Sequence, residues 1–217
     1  MPRSNREKSA ETRTHIIDAA YRLFIEKGYN ATSLRDISHL AGVTVGAVYN
    51  HFTTKEDIWV SVIREKHPYH QIIPLMDQVE GDTIEDLVRG AARALVSELL
   101  NRPDLFHMMF IEIVEFKAVH VPDLYQAIVP HLAGLNRNVR GKKGRFREIP
   151  EPILLRSFIG LFFSYYITGI LLKDLPGCAT DPSSLDQFVD LYLFGVLDDS
   201  DPLRKKKHET TTGLAHP

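Results

Sequence analysis

Apolar side chains recur at helical spacing through most of the chain, and short polar or glycine-containing stretches separate the repeats. Residues three and four apart share one face of a helix, so this period predicts amphipathic helices. The pattern therefore predicts an all-α protein. The predicted helices cover 11–27, a pair within 33–52, 55–65, 83–101, 104–119, 122–140, 151–173 and 182–197.

The stretch 33–52 has the pattern of two short helices joined by a tight turn. Ser33 is a favourable N-cap, and Asp36 three residues later can complete a capping box. Gly42 suits the positive φ that ends a helix, and Thr44 is the N-cap of the next one. These signals predict two helices that meet at a corner.

Gly46 and Ala47 follow the turn, so no large side chain protrudes from the outer face of the second helix. In a helix-turn-helix, the second helix enters the major groove of DNA, which is about 12 Å wide. The stretch therefore predicts a helix-turn-helix. An ordinary αα-corner is the alternative interpretation of this stretch alone.

The sequence on both sides of this corner resembles the tetracycline-repressor-like (TetR) family of bacterial transcription regulators. The resemblance covers residues 10–66 and rests on four segments in order: IIDAAYRLFIEKGYNATSLRDIS, AGVT, GAVYNHF and KED. It implies an N-terminal three-helix DNA-binding domain over 10–66 and a C-terminal helical bundle over 67–198 for ligand binding and dimerisation. Residues 1–9 and 199–217 are expected to be disordered.

The resemblance also implies the residues that contact DNA. The N-terminus of the second helix, with Thr32 and Ser33, is expected to meet the DNA backbone. Arg35 is a phosphate candidate or a solvated surface residue. The other implied contacts are with base edges by Thr44, Val45 and Gly46, with phosphate by Tyr49, His51 and Lys55, and with either by Asn50. Val45 departs from the family pattern, in which a polar or basic residue is frequent, so it would touch a thymine methyl instead.

The last two predicted helices, 151–173 and 182–197, match the family's dimer interface. A homodimer suits a palindromic operator, because a two-fold protein reads two half-sites about 34–36 Å apart. The basic segment 136–147 looks like a DNA-binding strip, but a solvated loop of the regulatory domain is favoured. A double-stranded DNA operator and a second copy of the chain are therefore the expected macromolecular partners.

A small, lipophilic effector is the expected ligand, and its binding would lower operator affinity. The pocket candidates are apolar residues of two predicted helices: Phe106, Met109, Phe110, Ile113, Phe162 and Tyr166. Plain core packing is the alternative for each of them. Glu112 and Glu115 lie within the apolar helix 104–119, either as a polar handle in the pocket or at its solvent edge.

Composition narrows the cellular setting. The net charge is −2, with +2 over 1–66 and −4 over 67–217, so local rather than overall charge would attract DNA. The single cysteine, Cys178, excludes an internal disulfide and suits the cytoplasm. No signal peptide is visible, and the apolar, uncharged run 157–172 is shorter than the about 20 residues of a membrane span.

The competing function is a helical protein that binds lipid or small molecules without DNA, its N-terminal corner being incidental. Catalysis is not expected, since the sequence offers no recognisable Ser/His/Asp set, phosphate loop or metal cluster. Neither a cofactor nor a metal is therefore predicted. The leading prediction is a homodimeric, ligand-responsive transcription regulator, most often a repressor in this family.

Overall fold

The structure is a computed structural model that describes residues 5–126, 139, 142–175 and 182–196. These residues form helices and no strand, with one isolated parallel bridge between Thr83 and Lys143, so the all-α prediction is confirmed. The helices are α1 Asn5–Lys27, α2 Leu34–Leu40, α3 Val45–Tyr49, α4 Lys55–Lys66, α5 Tyr69–Asp77, α6 Ile84–Asn101, α7 Asp104–Phe116, α8 121–126 as far as described, α9 Glu151–Leu171 and α10 Pro182–Val196.

The described chain divides into two compact units. Residues 5–69 and 102–126 form the first unit, and residues 70–101, 142–175 and 182–196 belong to the second. The sequence pattern predicts a boundary near residue 66 and assigns α7 to the regulatory domain. In the structure α7 instead packs against α1 in the first unit.

In the first unit, α1 packs against α2 and α4, and α2 packs against α3. The apolar stripe that predicts α1 is its buried face, and the core continues into the next three helices. The buried side chains are Ile16, Ile17, Ala20, Leu23, Phe24, Ile37, Val48, Phe52, Ile58, Trp59 and Val62. This single core fixes the orientation of the two corner helices.

In the second unit, α6, α9 and α10 pack against one another. The core is rich in aromatic rings, of which Phe158 lies 4.8 Å from Phe162 and 5.6 Å from Tyr192 between centroids. The Tyr192 hydroxyl donates to the Leu154 carbonyl at 2.9 Å. Arg93 adds an ion pair to Asp186 across α6 and α10. These contacts tie α6 and α9 to α10.

Three segments differ from the expected pattern. The first helix begins at Asn5, so residues 5–9 are helical rather than disordered. The helix α5 is not among the predicted helices; it begins one residue after Pro68 and contains Pro74. Lys143, in the basic segment that was expected to be a solvated loop, is exposed, but its backbone is hydrogen-bonded to Asp82 and Ile84.

Candidate nucleic-acid interface

The corner between α2 and α3 has the local geometry that the sequence predicts. Ser33 caps α2 in a capping box, its Oγ accepting from the Asp36 N–H at 3.1 Å and its own N–H donating to the Asp36 carboxylate at 2.9 Å. The Ser33 hydroxyl also donates to the Asp36 carboxylate at 2.5 Å, and this bond, together with the one from the Ser33 N–H, lowers the pKa of Asp36. Gly42 has φ +68°, which only glycine adopts at little cost, and Thr44 caps α3 by accepting from the Ala47 N–H at 3.1 Å.

The recognition helix α3 is held by its inner face and presents its outer face to solvent. Val48 is completely buried, and Phe52 just after the helix is also in the core. Tyr49 is 57% exposed, which is high for an aromatic side chain and leaves its hydroxyl free of the core. The other predicted contact residues on this surface are exposed (Ser33, Arg35, Thr44, Gly46 and Asn50) or half-buried (Val45 and His51).

Thr32 differs from its neighbours, because its side chain points inward. It is 1% exposed, and its hydroxyl donates to the Gly28 carbonyl at 2.9 Å and approaches the Leu23 carbonyl at 3.3 Å. The hydroxyl thus ties the α1–α2 connection to the end of α1. This side chain is therefore not available to DNA, and the residue supports the interface from inside.

Lys55, the first residue of α4, also has a structural task. Its ammonium donates to the carbonyls of Tyr29 at 2.8 Å and Thr32 at 2.9 Å, and lies 4.1 Å from the centroid of the Tyr29 ring. Burial lowers the pKa of Lys55, with Glu115 acting in the opposite direction. An ammonium has three donors, so one remains for a phosphate.

The predicted effector residues fall in both units. Met109 lines a small cavity of about 10 Å³ in the first unit, room for about one water molecule. Phe110 and Ile113 are about half exposed on α7, and Phe106 lies 4.5 Å from Phe110 between ring centroids. Phe162 and Tyr166 are buried in the core of the second unit.

Glu112 is not at the solvent edge of α7, because it is only 3% exposed. It lines the same small cavity as Met109. Its carboxylate accepts a hydrogen bond from the Trp59 indole at 2.8 Å, so it is a paired polar group in that cavity. Sequence patterns hold no signal for this pairing, because the two residues are 53 positions apart.

An exposed, capped second helix held by a buried corner is the arrangement of a helix-turn-helix DNA-binding protein. The family model for "Bacterial regulatory proteins, tetR family" matches residues 16–62. The transcriptional regulator SrpR of Pseudomonas putida is 41% identical over 185 residues, covering 81% of this chain and 80% of SrpR. The uncharacterised regulator YvkB of Bacillus subtilis is 27% identical, covering 85% of this chain and 97% of YvkB.

Among solved structures, the fold is similar to that of FadR from Bacillus subtilis in complex with stearoyl-CoA. The TM-score is 0.57 at 21% identity, covering 82% of this chain and 96% of FadR. The chain belongs to the TetR family and is a DNA-binding transcriptional regulator. The family resemblance is thereby confirmed, and the alternative of a ligand-binding protein without DNA function is not supported.

Proposed function

We propose that the protein is a homodimeric repressor whose two α3 helices read the two halves of a palindromic operator, and that a small lipophilic molecule releases it. The observation that carries the DNA surface is the exposed face of α3 between its Thr44 cap and Tyr49, above the buried Val48. We place the protein in the cytoplasm, where its DNA is, and assign it regulation rather than catalysis.

The proposed DNA surface has a centre and a rim. Thr44, Val45 and Gly46 at the start of α3 would lie over base edges, where recognition helices make their contacts. Ser33, Arg35 and Tyr49 would contact phosphates, with Asn50, His51 and the remaining donor of Lys55 beside them. Thr32 contributes only by holding the connection between α1 and α2 in place.

Dimerisation is proposed through α9 and α10, within residues 151–173 and 182–197. Both helices carry apolar side chains on the surface of the monomer, including Ile159, 49% exposed, and Leu191, 66% exposed. Exposed apolar side chains on helices that match the family's dimer interface are what an association surface requires. α9 also has the length and composition of a membrane-spanning helix, features that the core helices of soluble proteins share. A two-fold dimer accounts for this apolar surface and for the two half-sites of an operator.

The effector is proposed to be apolar because most side chains of α7 in the first unit, and of α9 in the second unit, are aromatic or aliphatic. The candidates remain Phe106, Met109, Phe110, Ile113, Phe162 and Tyr166. The relative FadR was solved with stearoyl-CoA, a molecule with a long acyl chain. An affinity difference of about 2–4 kcal/mol between the two states would release DNA at least tenfold, since about 1.4 kcal/mol is a factor of ten.

A gel-shift assay with DNA from upstream of the protein's own gene tests the DNA surface. Tyr49→Ala should weaken specific binding about tenfold, which corresponds to about 1.4 kcal/mol. Tyr125→Ala is the matched control, because Tyr125 is 51% exposed in the same unit but away from α3. Equal losses for the two variants, or no specific binding by the wild type, would contradict the proposed surface.

Arg35→Gln tests the phosphate contact separately. Each phosphate contact contributes about 0.9 to the slope of log affinity against log salt, so the variant should have a slope smaller by about one. For the effector, stearoyl-CoA should displace the operator, whereas free coenzyme A should not. Displacement by free coenzyme A with no effect of any acyl or aromatic compound would count against an apolar effector.

A further inference from the structure

The carboxylate of Glu112 is buried in the first unit, is not part of the proposed DNA surface, and has hydrogen-bond partners at both oxygens. Its Oε2 accepts from the Trp59 indole N–H at 2.8 Å and lies 3.1 Å from the His120 ring Nδ1. Its Oε1 accepts from the His120 backbone N–H at 2.9 Å. A buried charge is unfavourable unless it is paired and hydrogen-bonded. These contacts are therefore what allows a carboxylate at this position.

The turn after α7 is shaped to bring His120 back over that carboxylate. Lys117 and Ala118 have φ of 53° and 62°, a left-handed conformation that residues with a Cβ rarely adopt. The Ala118 N–H donates to the Glu112 backbone carbonyl at 2.9 Å and closes the turn. Glu112 is thus bound by both the backbone and the side chain of the segment that follows its own helix.

His120 also reaches the helix that follows the recognition helix. Its Nε2 lies 3.1 Å from the Glu56 carboxylate on α4. Each ring nitrogen therefore faces a carboxylate, one on α7 and one on α4. A protonated imidazole has an N–H for both, whereas a neutral ring has only one. The ring forms a bridge between the two helices.

The α4 side of this contact is packed in the core of the first unit. Trp59 is completely buried, stacks on Phe116 with centroids 5.8 Å apart and an interplanar angle of 10°, and meets Phe24 edge-on at 5.6 Å. Glu56 and Trp59 are three residues apart, which places them on neighbouring positions of one helical face. A shift of α7 that moved Glu112 would therefore have to move α4 or break these bonds.

The recognition helix is coupled to α4 by the short segment between them. Val48 on α3 and Phe52 in that segment are buried in the same core as Ile58 and Trp59. The N-cap Thr54 accepts from the Asp57 N–H at 3.0 Å, so α4 starts immediately after the turn. A change in the position of α4 would therefore alter the core against which Val48 of α3 is packed.

We propose that Glu112 and His120 form a positioning site that holds α4, and through it the recognition helix, in the DNA-binding arrangement. Neither residue would contact DNA; Glu112 would act through Trp59, and His120 through Glu56. The positioning role rests on the proposed DNA surface of α3. Glu112 in α7 and His120 in the turn after it would thus control operator affinity separately from the residues that contact DNA.

The principal test is Glu112→Gln, which keeps the size of the side chain but replaces one oxygen by an NH₂ group. Whichever way the amide is turned, its N–H groups face an N–H of Trp59 or of His120, so at least one bond is lost. Asp123→Asn is the matched control, because it makes the same charge change on an exposed residue of the same unit; its ion pair with Arg64 of α4 is 3.9 Å long and lies on the surface, where such pairs contribute little. The probes are a duplex selected by the wild-type protein from a random pool and a nonspecific duplex.

Glu112→Gln is expected to lose at least tenfold in affinity for the selected duplex, with nonspecific affinity within twofold of wild type. Asp123→Asn should match wild type on both duplexes. A purely stabilising role would lower the unfolding midpoint but leave the affinity of the folded protein unchanged. Equal operator affinity of folded Glu112→Gln and wild type would therefore overturn the positioning role while leaving the DNA surface intact.

His120→Ala keeps the inference testable if Glu112→Gln does not fold. This variant retains the bonds to Glu112 from the residue 120 backbone N–H and from Trp59, and removes the ring, with its contacts to Glu56, Glu112 and Phe116. It should lose at least threefold in operator affinity while its nonspecific affinity stays constant. An unchanged operator affinity of His120→Ala would then refute the positioning site. A wild-type protein that selected no duplex would refute both the DNA surface and the site.

Discussion

Replacing Gly46 by alanine should separate the stability of the protein from its ability to bind DNA. Gly46 is the second residue of α3, exposed and with an ordinary helical backbone. A Cβ built there meets only Thr44 Oγ1, at 3.9 Å, which is an ordinary contact. Alanine is favoured over glycine within helices by about 0.5–1 kcal/mol. Because Gly46 lies in the first turn, the expected gain in unfolding free energy is about 0.5 kcal/mol.

The same methyl group should weaken operator binding. A helix with its side chains is about 10–12 Å across, and the major groove is about 12 Å wide, so there is little clearance. An added methyl at Gly46 would lift α3 from the base edges and weaken contacts that are worth about 1–3 kcal/mol each. The loss of a single such contact corresponds to about a tenfold fall in affinity.

Urea unfolding and gel shifts on the same preparations measure the two effects. Gly42→Ala is the contrasting variant: its Cβ meets nothing within 4 Å, but φ is +68°, so it should lose about 1–2 kcal/mol of stability. Gly46→Ala should thus be at least as stable as wild type and bind DNA less well. Operator affinity of Gly46→Ala within twofold of wild type would refute the close approach of this face to DNA.

Three further outcomes are expected. Thr32→Val removes the buried hydroxyl that donates to Gly28 and should lower the unfolding free energy by about 1 kcal/mol, measured by urea denaturation. Hydrogen bonds from Ser33 lower the pKa of Asp36, so wild type should be more stable than Asp36→Asn at any pH above the ordinary pKa of 3.8. This difference in unfolding free energy should disappear as the pH falls through the lowered pKa, which urea unfolding across pH 2–6 would measure. Leu191→Glu should turn a dimer into a monomer in analytical ultracentrifugation, because it places a charge in the proposed interface.

The corner helices could be predicted because their signals are local. The Ser33–Asp36 box and the Thr44 cap join residues three apart, and a glycine at position 42 by itself indicates a turn with positive φ. Each of these features forms with little reference to the rest of the chain. For the same reason α9 could be expected from a continuous apolar run, although its partner surfaces could not.

The inward side chain of Thr32 and the pairing of Glu112 with Trp59 could not be predicted in the same way. Thr32 lies between two helices, where no period tells which way a side chain points. The Glu112–Trp59 bond joins residues 53 apart, so it depends on how α7 packs, which the sequence of α7 does not contain. The helix α5 was also not predicted, and it contains Pro74, a residue that is usually excluded from the interior of a helix.

The position of α7 in the first unit connects the proposed effector site to the proposed DNA surface. Phe110 and Ile113 are about half exposed on α7, while Glu112, between them in sequence, is buried against Trp59. One helix therefore presents apolar side chains on one face and holds α4 by a carboxylate on another. In the proposed mechanism, a ligand on the exposed face would release DNA by turning or shifting α7 enough to break the 2.8 Å hydrogen bond from Trp59 to Glu112, because such a bond is directional.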